Sequence, residues 1–324
     1  MAYAQLPVVT KKACSGDCSK MLAQGHGKKK MKLAAKKNNV VAVTTPNLTF
    51  KIDRSTGLIS EYAYNGKSLL GEGGTLKPNF WRAPTDNDMG AGLQKKFKAW
   101  KNPQMNLKNI DVKKDKKTNS VTILTSFDMP EVQGQMDITY VVFANTGAVK
   151  VTEDFKATEG AKVSDMFRFG MLMQMPYTME KSNYYGRGPI ENYSDRKDCM
   201  RIGVYTDDAD NQYFPYIRPQ ESGTKSDIRW WKQTDATGLG LQVKSCTPFY
   251  ASAIHFDTEE LDDGDDKEQR HSFDLKKSKF TNLFLDSAHM GVGGENSWGA
   301  WPLEKYRVHY GNKTFTFTLI PQGK

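Results

Sequence analysis

The sequence predicts an all-β protein of antiparallel strands. Three observations point there: apolar and polar residues alternate over short runs, turn signals separate those runs, and helical periodicity is almost absent. Taken in order, Leu48, Phe50 and Ile52 form the first alternating run, and Ser55-Thr56-Gly57 turns the chain. Ile59 to Tyr64 is a second strand, closed by Asn65-Gly66, a pair that tolerates the positive φ angles of a tight hairpin turn. Val121 to Phe127 is a further strand. Met136, Ile138, Tyr140 and Val142 alternate, Asn145-Thr146-Gly147 turns, and Val149, Val151 and Glu153 complete the hairpin. Near the end Phe315, Phe317 and Leu319 alternate before Pro321. Leu93 to Trp100 is the best helical candidate. No internal repeat is apparent.

With 324 residues, one large β domain plus a short extra segment fits the length. The net charge of +9 is unevenly spread. Residues 1–40 hold Lys11, Lys12, Lys20, Lys28, Lys29, Lys30, Lys32, Lys36 and Lys37 against Asp17 alone, which leaves the body near neutral. A basic tail of this kind reads as a solvated linker, so nucleic acid is not an expected partner. The expected organisation is therefore residues 1–39 as the tail of a preceding domain plus a basic linker, and residues 40–324 as one β domain. No apolar run is long enough to span a bilayer, and no signal peptide is visible at the start. Cytoplasm and periplasm both remain open. Cys14 and Cys18 are spaced as C-x3-C, but no second pair or well-spaced His completes a zinc site, and no metal ligand set is expected.

Long loops collect the polar and aromatic residues, and loops of that length in a β domain usually bind or pack against something. They run over 77–105, 184–197, 207–228, 257–271 and 286–301. In the first, Phe80 and Trp81 can anchor the chain while Arg82, Asp86, Asn87 and Asp88 crowd donors and acceptors together. In an extended strand Asp86 and Asp88 share a face. Glycosidic acid–base chemistry needs two carboxylates about 5–10 Å apart across a substrate; the plainer reading is that Arg82 pairs an Asp while the others cap turns. Calcium would suit the oxygen ligands, yet the spacing matches no EF-hand. In the second, Gly186, Gly188 and Pro189 bend the chain beside Glu191, Asn192, Asp195 and Arg196. In the third, Gln220, Glu221 and Arg229 either contact a sugar or tie loops together. In the last, Gly291, Gly293 and Gly294 carry Trp298 and Trp301. An indole offers a face for sugar C–H groups, or both rings belong to the core. Asn296 and Arg82 are added as candidate substrate contacts, because sugar hydroxyls need such partners. The acidic run Glu259 to Asp266 reads as a solvated hairpin tip. No catalytic residue is assigned.

Together these stretches resemble the C-terminal domain, or small-chain domain, of bacterial glycoside hydrolase family 2 β-galactosidases. N-F-W-R-A-P-T-D-N-D-M-G, G-R-G-P-I-E-N-Y-S-D-R and H-M-G-V-G-G-E-N-S-W-G-A-W stand in the family's order, over about Asn47 to Pro321. The resemblance implies a large antiparallel supersandwich, galactose mutarotase-like. It implies that Trp298 stacks on the aglycone sugar at the active-site mouth, and that Gly90 is the hinge of a mobile loop reaching about Phe97. That loop's interior, A-G-L-Q-K-K-F, departs from the family pattern. The family's catalytic glutamates and its Mg2+ and Na+ ligands lie in a TIM barrel and other domains not found in this sequence. The expected partners are those domains, in the same chain or a large subunit, and a β-galactoside such as lactose, with a homo-oligomer open in the full enzyme. A-Y-A-Q-L-P-V resembles the last strand of a preceding sandwich domain, so the chain reads as a fragment or as a natural small subunit. The alternatives are a stand-alone carbohydrate-binding module, and an aldose 1-epimerase-like enzyme drawing on His255, His289 and Glu295.

Overall fold

Alternation turns into pairing wherever a turn returns the chain. The computed structural model describes Gln5 and residues 29–35, 39–296 and 299–323. Strands β1 (Lys32–Ala34), β2 (Val40–Thr44), β3 (Leu48–Asp53), β4 (Ile59–Tyr64) and β5 (Lys67–Ser68) form a five-stranded sheet in sequence order. Asn65 and Gly66, with φ of 51° and 75°, make the predicted tight turn between β4 and β5. Strand β1 lies inside the segment expected as linker, because Lys32–Ala34 pairs with Ala42–Thr44.

A second, twelve-stranded sheet takes the rest. Its strands are β6 (Leu76–Asn79), β7 (Asn106–Asp115), β8 (Ser120–Met129), β9 (Gly134–Phe143), β10 (Val149–Ala157), β11 (Arg168–Pro176), β12 (Lys181–Gly188), β13 (Arg201–Asp208), β14 (Lys225–Thr234), β15 (Gly240–Ile254), β16 (Phe280–His289) and β17 (Lys313–Gln322). The order along the main path is β13-β12-β14-β15-β17-β10-β9-β8-β7. Strand β15 serves two neighbours in succession: Gly240–Lys244 pairs with β17 and Tyr250–Ile254 with β16, which leads on to β11 and β6. The ladders among the described residues are all antiparallel. The all-β antiparallel class read from the sequence is the class observed.

The core follows the period of two. Val121, Ile123 and Phe127 of β8, Met136, Ile138, Tyr140 and Val142 of β9, and Phe315, Phe317 and Leu319 of β17 are buried. From the smaller sheet Val41, Val43, Phe50, Ile52 and Tyr62 face them. Phe50 meets Tyr140 at 6.0 Å between ring centroids, and the Tyr62 hydroxyl donates to the Gly147 carbonyl at 2.9 Å. Each large apolar side chain buried this way stabilises the fold by about 1.5–3 kcal/mol. One position breaks the rule. Glu153 occupies a core slot of β10, and neither of its carboxylate oxygens has a hydrogen-bond partner. Burial pushes its carboxyl well above the ordinary value, so it sits in the sheet as a neutral acid.

Two short helices interrupt the long first loop. Helix α1 (Asp86–Ala91) starts at Thr85, whose hydroxyl accepts from the Asp88 N–H while the Asp88 carboxylate accepts from the Thr85 N–H. Asp86 and Asp88 therefore lie on a helix, where the extended reading had put them on one strand face. Helix α2 (Leu93–Lys96) and a 3₁₀ turn (Lys98–Trp100) follow, matching the predicted helical segment. Their apolar stripe, Leu93, Phe97 and Trp100, is buried. The acidic run is not simply solvated. Asp262 accepts from the Trp81 indole at 2.8 Å, and Asp263 is buried between Arg218 and Arg270, each at 2.8 Å. Thr258–Leu261 forms a third short helix.

Candidate functional site

Arg82 is the hinge pin of the site. Its guanidinium is fully buried, grips Asp88 through two parallel bonds of 3.0 and 2.8 Å, and donates to the Met290 and Gly291 carbonyls at 2.7 and 2.9 Å. The first and last of the singled-out loops are thereby locked together. Burial is the reason that Arg82, expected as a substrate contact, acts here through position: no part of it reaches solvent. Asn87 adds a bond from its amide to the Val292 carbonyl at 2.9 Å. From the second loop, the Asp195 carboxylate accepts from the Val292 and Gly293 N–H groups at 3.1 and 2.9 Å.

The third loop closes the ring. Gln220 bonds both the Asp86 N–H and the Asp86 carboxylate, at 3.0 and 2.9 Å, and Arg218 donates to the same carboxylate at 3.1 Å. Burial opposes ionisation of Asp86, but the hydrogen bonds from Gln220, Arg218 and Lys267 outweigh it and hold its carboxyl below the ordinary value. Glu191 accepts from the Gly223 N–H at 2.8 Å and pairs with Arg196 and the Tyr216 hydroxyl. The Glu221 N–H donates to the Ala83 carbonyl at 3.0 Å, and its carboxylate accepts from Thr224 at 2.7 Å.

Between these loops lies a cavity of about 400 Å³, lined by Asp86, Asn87, Glu191, Tyr193, Arg196, Tyr216, Gln220, Glu221, Gly293 and Gly294 among others. All four stretches singled out in the sequence contribute to its wall. Behind Glu221 sits a buried network. Arg168 grips Asp286 at 3.1 and 2.6 Å and approaches Glu221 at 3.5 Å. Burial pushes Asp286 up to about 6 despite that guanidinium. His289 lies 3.8 Å from Glu221, but burial, with Arg168 and Arg82 close by, holds its imidazole neutral, so the approach is not an ion pair.

The other expected residues fall as follows. Gly90 is the next-to-last residue of α1 and packs against Gly299, with a virtual Cβ 3.8 Å from the Gly299 Cα. Gly299 has φ of 82°, and a Cβ there would stand 2.6 Å from the Gly90 carbonyl oxygen. Two backbones therefore approach at this point, and position 299 requires glycine, whereas a Cβ at position 90 would make only ordinary contact. The segment expected to swing from Gly90 to Phe97 is helical here and pinned: Gln94 donates to the Asp265 carbonyl at 2.9 Å, and Lys95 and Lys98 pair with Asp266 and Asp265. Asn296 and Glu295 are exposed. Trp298 lies outside the described residues, as do Cys14, Cys18 and His26. Trp301 belongs to the packing, edge-on to Phe97 at 5.6 Å with Lys96 and Arg307 over its faces. Arg229 donates to the Asp227 carbonyl and stacks on Tyr185, apart from the cavity. His255 is buried, stacked on Tyr177 at 3.8 Å and bonded to Asp210 and Thr281. Sequence reasoning missed Tyr216 and Tyr193 as cavity walls, because a lone Tyr in a loop carries no signal of what it will face. Among the described residues no cluster of three or more His, Cys, Asp or Glu side chains could hold a metal ion. Asp86 and Asp88 face cations of the protein itself, which leaves them ill suited to calcium.

Comparison with known proteins agrees with the motifs. A β-galactosidase of Priestia megaterium is 31% identical over 283 residues, covering 87% of this chain and 26% of that protein. One from Lactobacillus delbrueckii subsp. bulgaricus is 34% identical over 222 residues, 68% of this chain and 21% of its own. The chain thus spans about a quarter of the length of the curated relatives it matches. Among solved structures, a putative aldose 1-epimerase of Escherichia coli K12 aligns over 90% of this chain and 99% of its own, at 9% identity and a TM-score of 0.45. The sequence model described as β-galactosidase small chain matches residues 44–319, a span that takes in the cavity and nearly all of the twelve-stranded sheet, and this chain belongs to that family.

Proposed function

We propose that this chain is the non-catalytic part of a β-galactosidase that completes the mouth of its active site and binds the aglycone sugar of β-galactosides such as lactose. Hydrolysis would be carried out by a TIM barrel outside this chain, and the Mg2+ and Na+ of the full enzyme would be held there too. The observation that carries the reading is the convergence of four polar loops on one cavity at the foot of the loop that bears Trp298. Sugars need such a mixture: Asp86, Glu191, Gln220 and Arg196 for hydroxyls, and aromatic rings such as Tyr216 for C–H faces. The stacking role of Trp298 and the hinge role of Gly90 rest on family resemblance. Asn296, which is exposed, is the second contact proposed for the same sugar. Arg82 supports the reading from behind, by fixing the loop on which Trp298 rides.

The test is a comparison of the purified chain with the chain assembled on the catalytic part of its own enzyme. The chain alone should leave nitrophenyl β-galactoside intact, and measurable turnover by a clean preparation would end the proposal. In the assembled enzyme Trp298→Ala should weaken lactose hydrolysis at least tenfold in kcat/KM while changing nitrophenyl galactoside far less. A base–ring or sugar–ring stack of this kind is worth about 1–3 kcal/mol, which sets the expected size.

A further inference from the structure

Large apolar side chains are normally hidden, and among the described residues four of the exposed ones gather on one surface. Ile190, Phe214, Ile217 and Phe273 are 61%, 55%, 86% and 84% exposed. They form one connected surface. Ile190 and Phe214 share a shallow cavity of about 180 Å³. Phe214 packs on Tyr216 at 4.7 Å. The Ile217 carbonyl meets His271 Nδ1 at 2.9 Å, and the His271 ring stacks on Phe273 at 5.6 Å. Ser272 ties the two segments through the Tyr213 hydroxyl at 2.9 Å. The exposed apolar area is on the order of 500 Å², comparable to the largest apolar patch of a typical monomer, which is often functional.

Position adds meaning to exposure. Tyr216 and Glu191 line the polar cavity, and their neighbours Phe214, Ile217 and Ile190 form the patch. The patch is therefore the rim of the candidate site. We infer that the rim formed by Ile190, Phe214, Ile217 and Phe273 is the surface on which the barrel-bearing remainder of the β-galactosidase docks, so that docking roofs the cavity. The occupant is argued from length: the relatives carry about three quarters of their chain beyond the part matched here, and that mass has to meet this unit somewhere. Flanking charge does not repel an approaching chain, because Arg196 is paired with Glu191 on the same rim. The inference rests on the reading of the chain as part of a β-galactosidase, and it adds which face makes the joint. Roofing removes water from the cavity wall, which strengthens every hydrogen bond that a sugar held there makes with Glu191, Gln220 and Asp86.

The experiment uses the full chain, wild type and Ile217→Glu/Phe273→Glu, with the barrel-bearing remainder of its own enzyme as the binding partner. Both substituted side chains stand in solvent, so circular dichroism and the urea midpoint should not change. Titration calorimetry should show at least a tenfold weaker association for the double variant, and hydrolysis should be restored only at correspondingly higher chain concentration. Equal association by both proteins would overturn the inference while leaving the proposed function standing. Wild-type chain that dimerises in sedimentation, with the double variant monomeric, would overturn it too, by showing a second copy to be the occupant. Failure of the wild type to associate at all strikes the proposed function instead, so the two readings fail separately.

Discussion

Replace Arg82 by Met. The substitution keeps the length of the side chain and removes a guanidinium that has no exposure and makes four hydrogen bonds, two to Asp88 and one each to the Met290 and Gly291 carbonyls. Two effects add. Asp88 is left as a buried carboxylate without its cation, and breaking such a pair from one side costs about 3–5 kcal/mol. The Met290 and Gly291 carbonyls also lose their donors, at about 1 kcal/mol each where no water replaces them. A loss of about 5 kcal/mol is expected, read from urea unfolding followed by tryptophan fluorescence. The second arm is Arg82→Met/Asp88→Asn. Asn is neutral and can still accept from the Thr85 N–H that Asp88 caps. Removing the stranded charge should recover about 2 kcal/mol of the loss. An Arg82→Met chain within 1 kcal/mol of wild type, or a double variant no better than the single one, would refute the pin. So would a variant of unchanged stability in which only sugar binding fell, since that is the signature of a substrate contact.

Three further outcomes follow from the same geometry. Glu153→Gln should stabilise the protein increasingly as pH rises: a carboxyl whose folded value is raised supports the fold while neutral, below about pH 4.5, and loses that support as pH climbs, at up to about 1.4 kcal/mol per pH unit. Urea unfolding from pH 5 to 8 reads it, and parallel curves for both proteins would contradict the assignment. Asp286, pushed up to about 6, should contribute the same sign between about pH 4 and 6, so Asp286→Asn should flatten stability in that window even though losing the Arg168 pair lowers it throughout. Gly299→Ala should cost about 1–3 kcal/mol, because a Cβ at positive φ would press on the Gly90 carbonyl; a melting temperature within a degree of wild type would show that the two backbones can part.

Strand periodicity was legible where one face is buried and the other is wet, as in β3, β9, β10 and β17. It was silent at β11, where Arg168–Pro176 is buried almost throughout because strands on both sides and packing on both faces leave no polar alternation to read. Boundaries of the long loops were drawn too wide for the same reason. Tyr184–Gly188 belongs to β12, yet glycines and an arginine at those positions look like a loop until Ile228 is seen filling the space a Gly186 Cβ would take. Turn chemistry was reliable when local, and Thr85 with Asp88 shows the limit: the capping box is written in the sequence, but Asp86 and Asp88 were read as extended because the helix it starts is barely two turns long. The site residues were legible as stretches and not as contacts. Which carboxylate meets which cation is decided by partners far apart in the chain, such as Arg218 and Asp86, 132 positions apart.

The carboxyls explain why a cavity so rich in acids is expected to need help from elsewhere. Acid catalysis at a glycosidic bond requires a carboxyl with a raised pKa in reach of substrate, facing a second, ionised one. In this chain those two properties are separated in space. The raised carboxyls, Glu153 and Asp286, are shut inside the sheets, one without any partner and one clamped by Arg168. At the cavity, Asp86 is held low by Gln220, Arg218 and Lys267, and Glu191 is committed to Arg196, Tyr216 and the Gly223 N–H. Asp86, held low, is suited to accept hydrogen bonds from hydroxyls rather than to donate a proton. Making Asp86 a proton donor would require stripping away Arg218, and that change would also free Asp263, whose burial depends on the same guanidinium. The arrangement that fixes the loops is thus also the arrangement that holds the Asp86 carboxyl below its ordinary value.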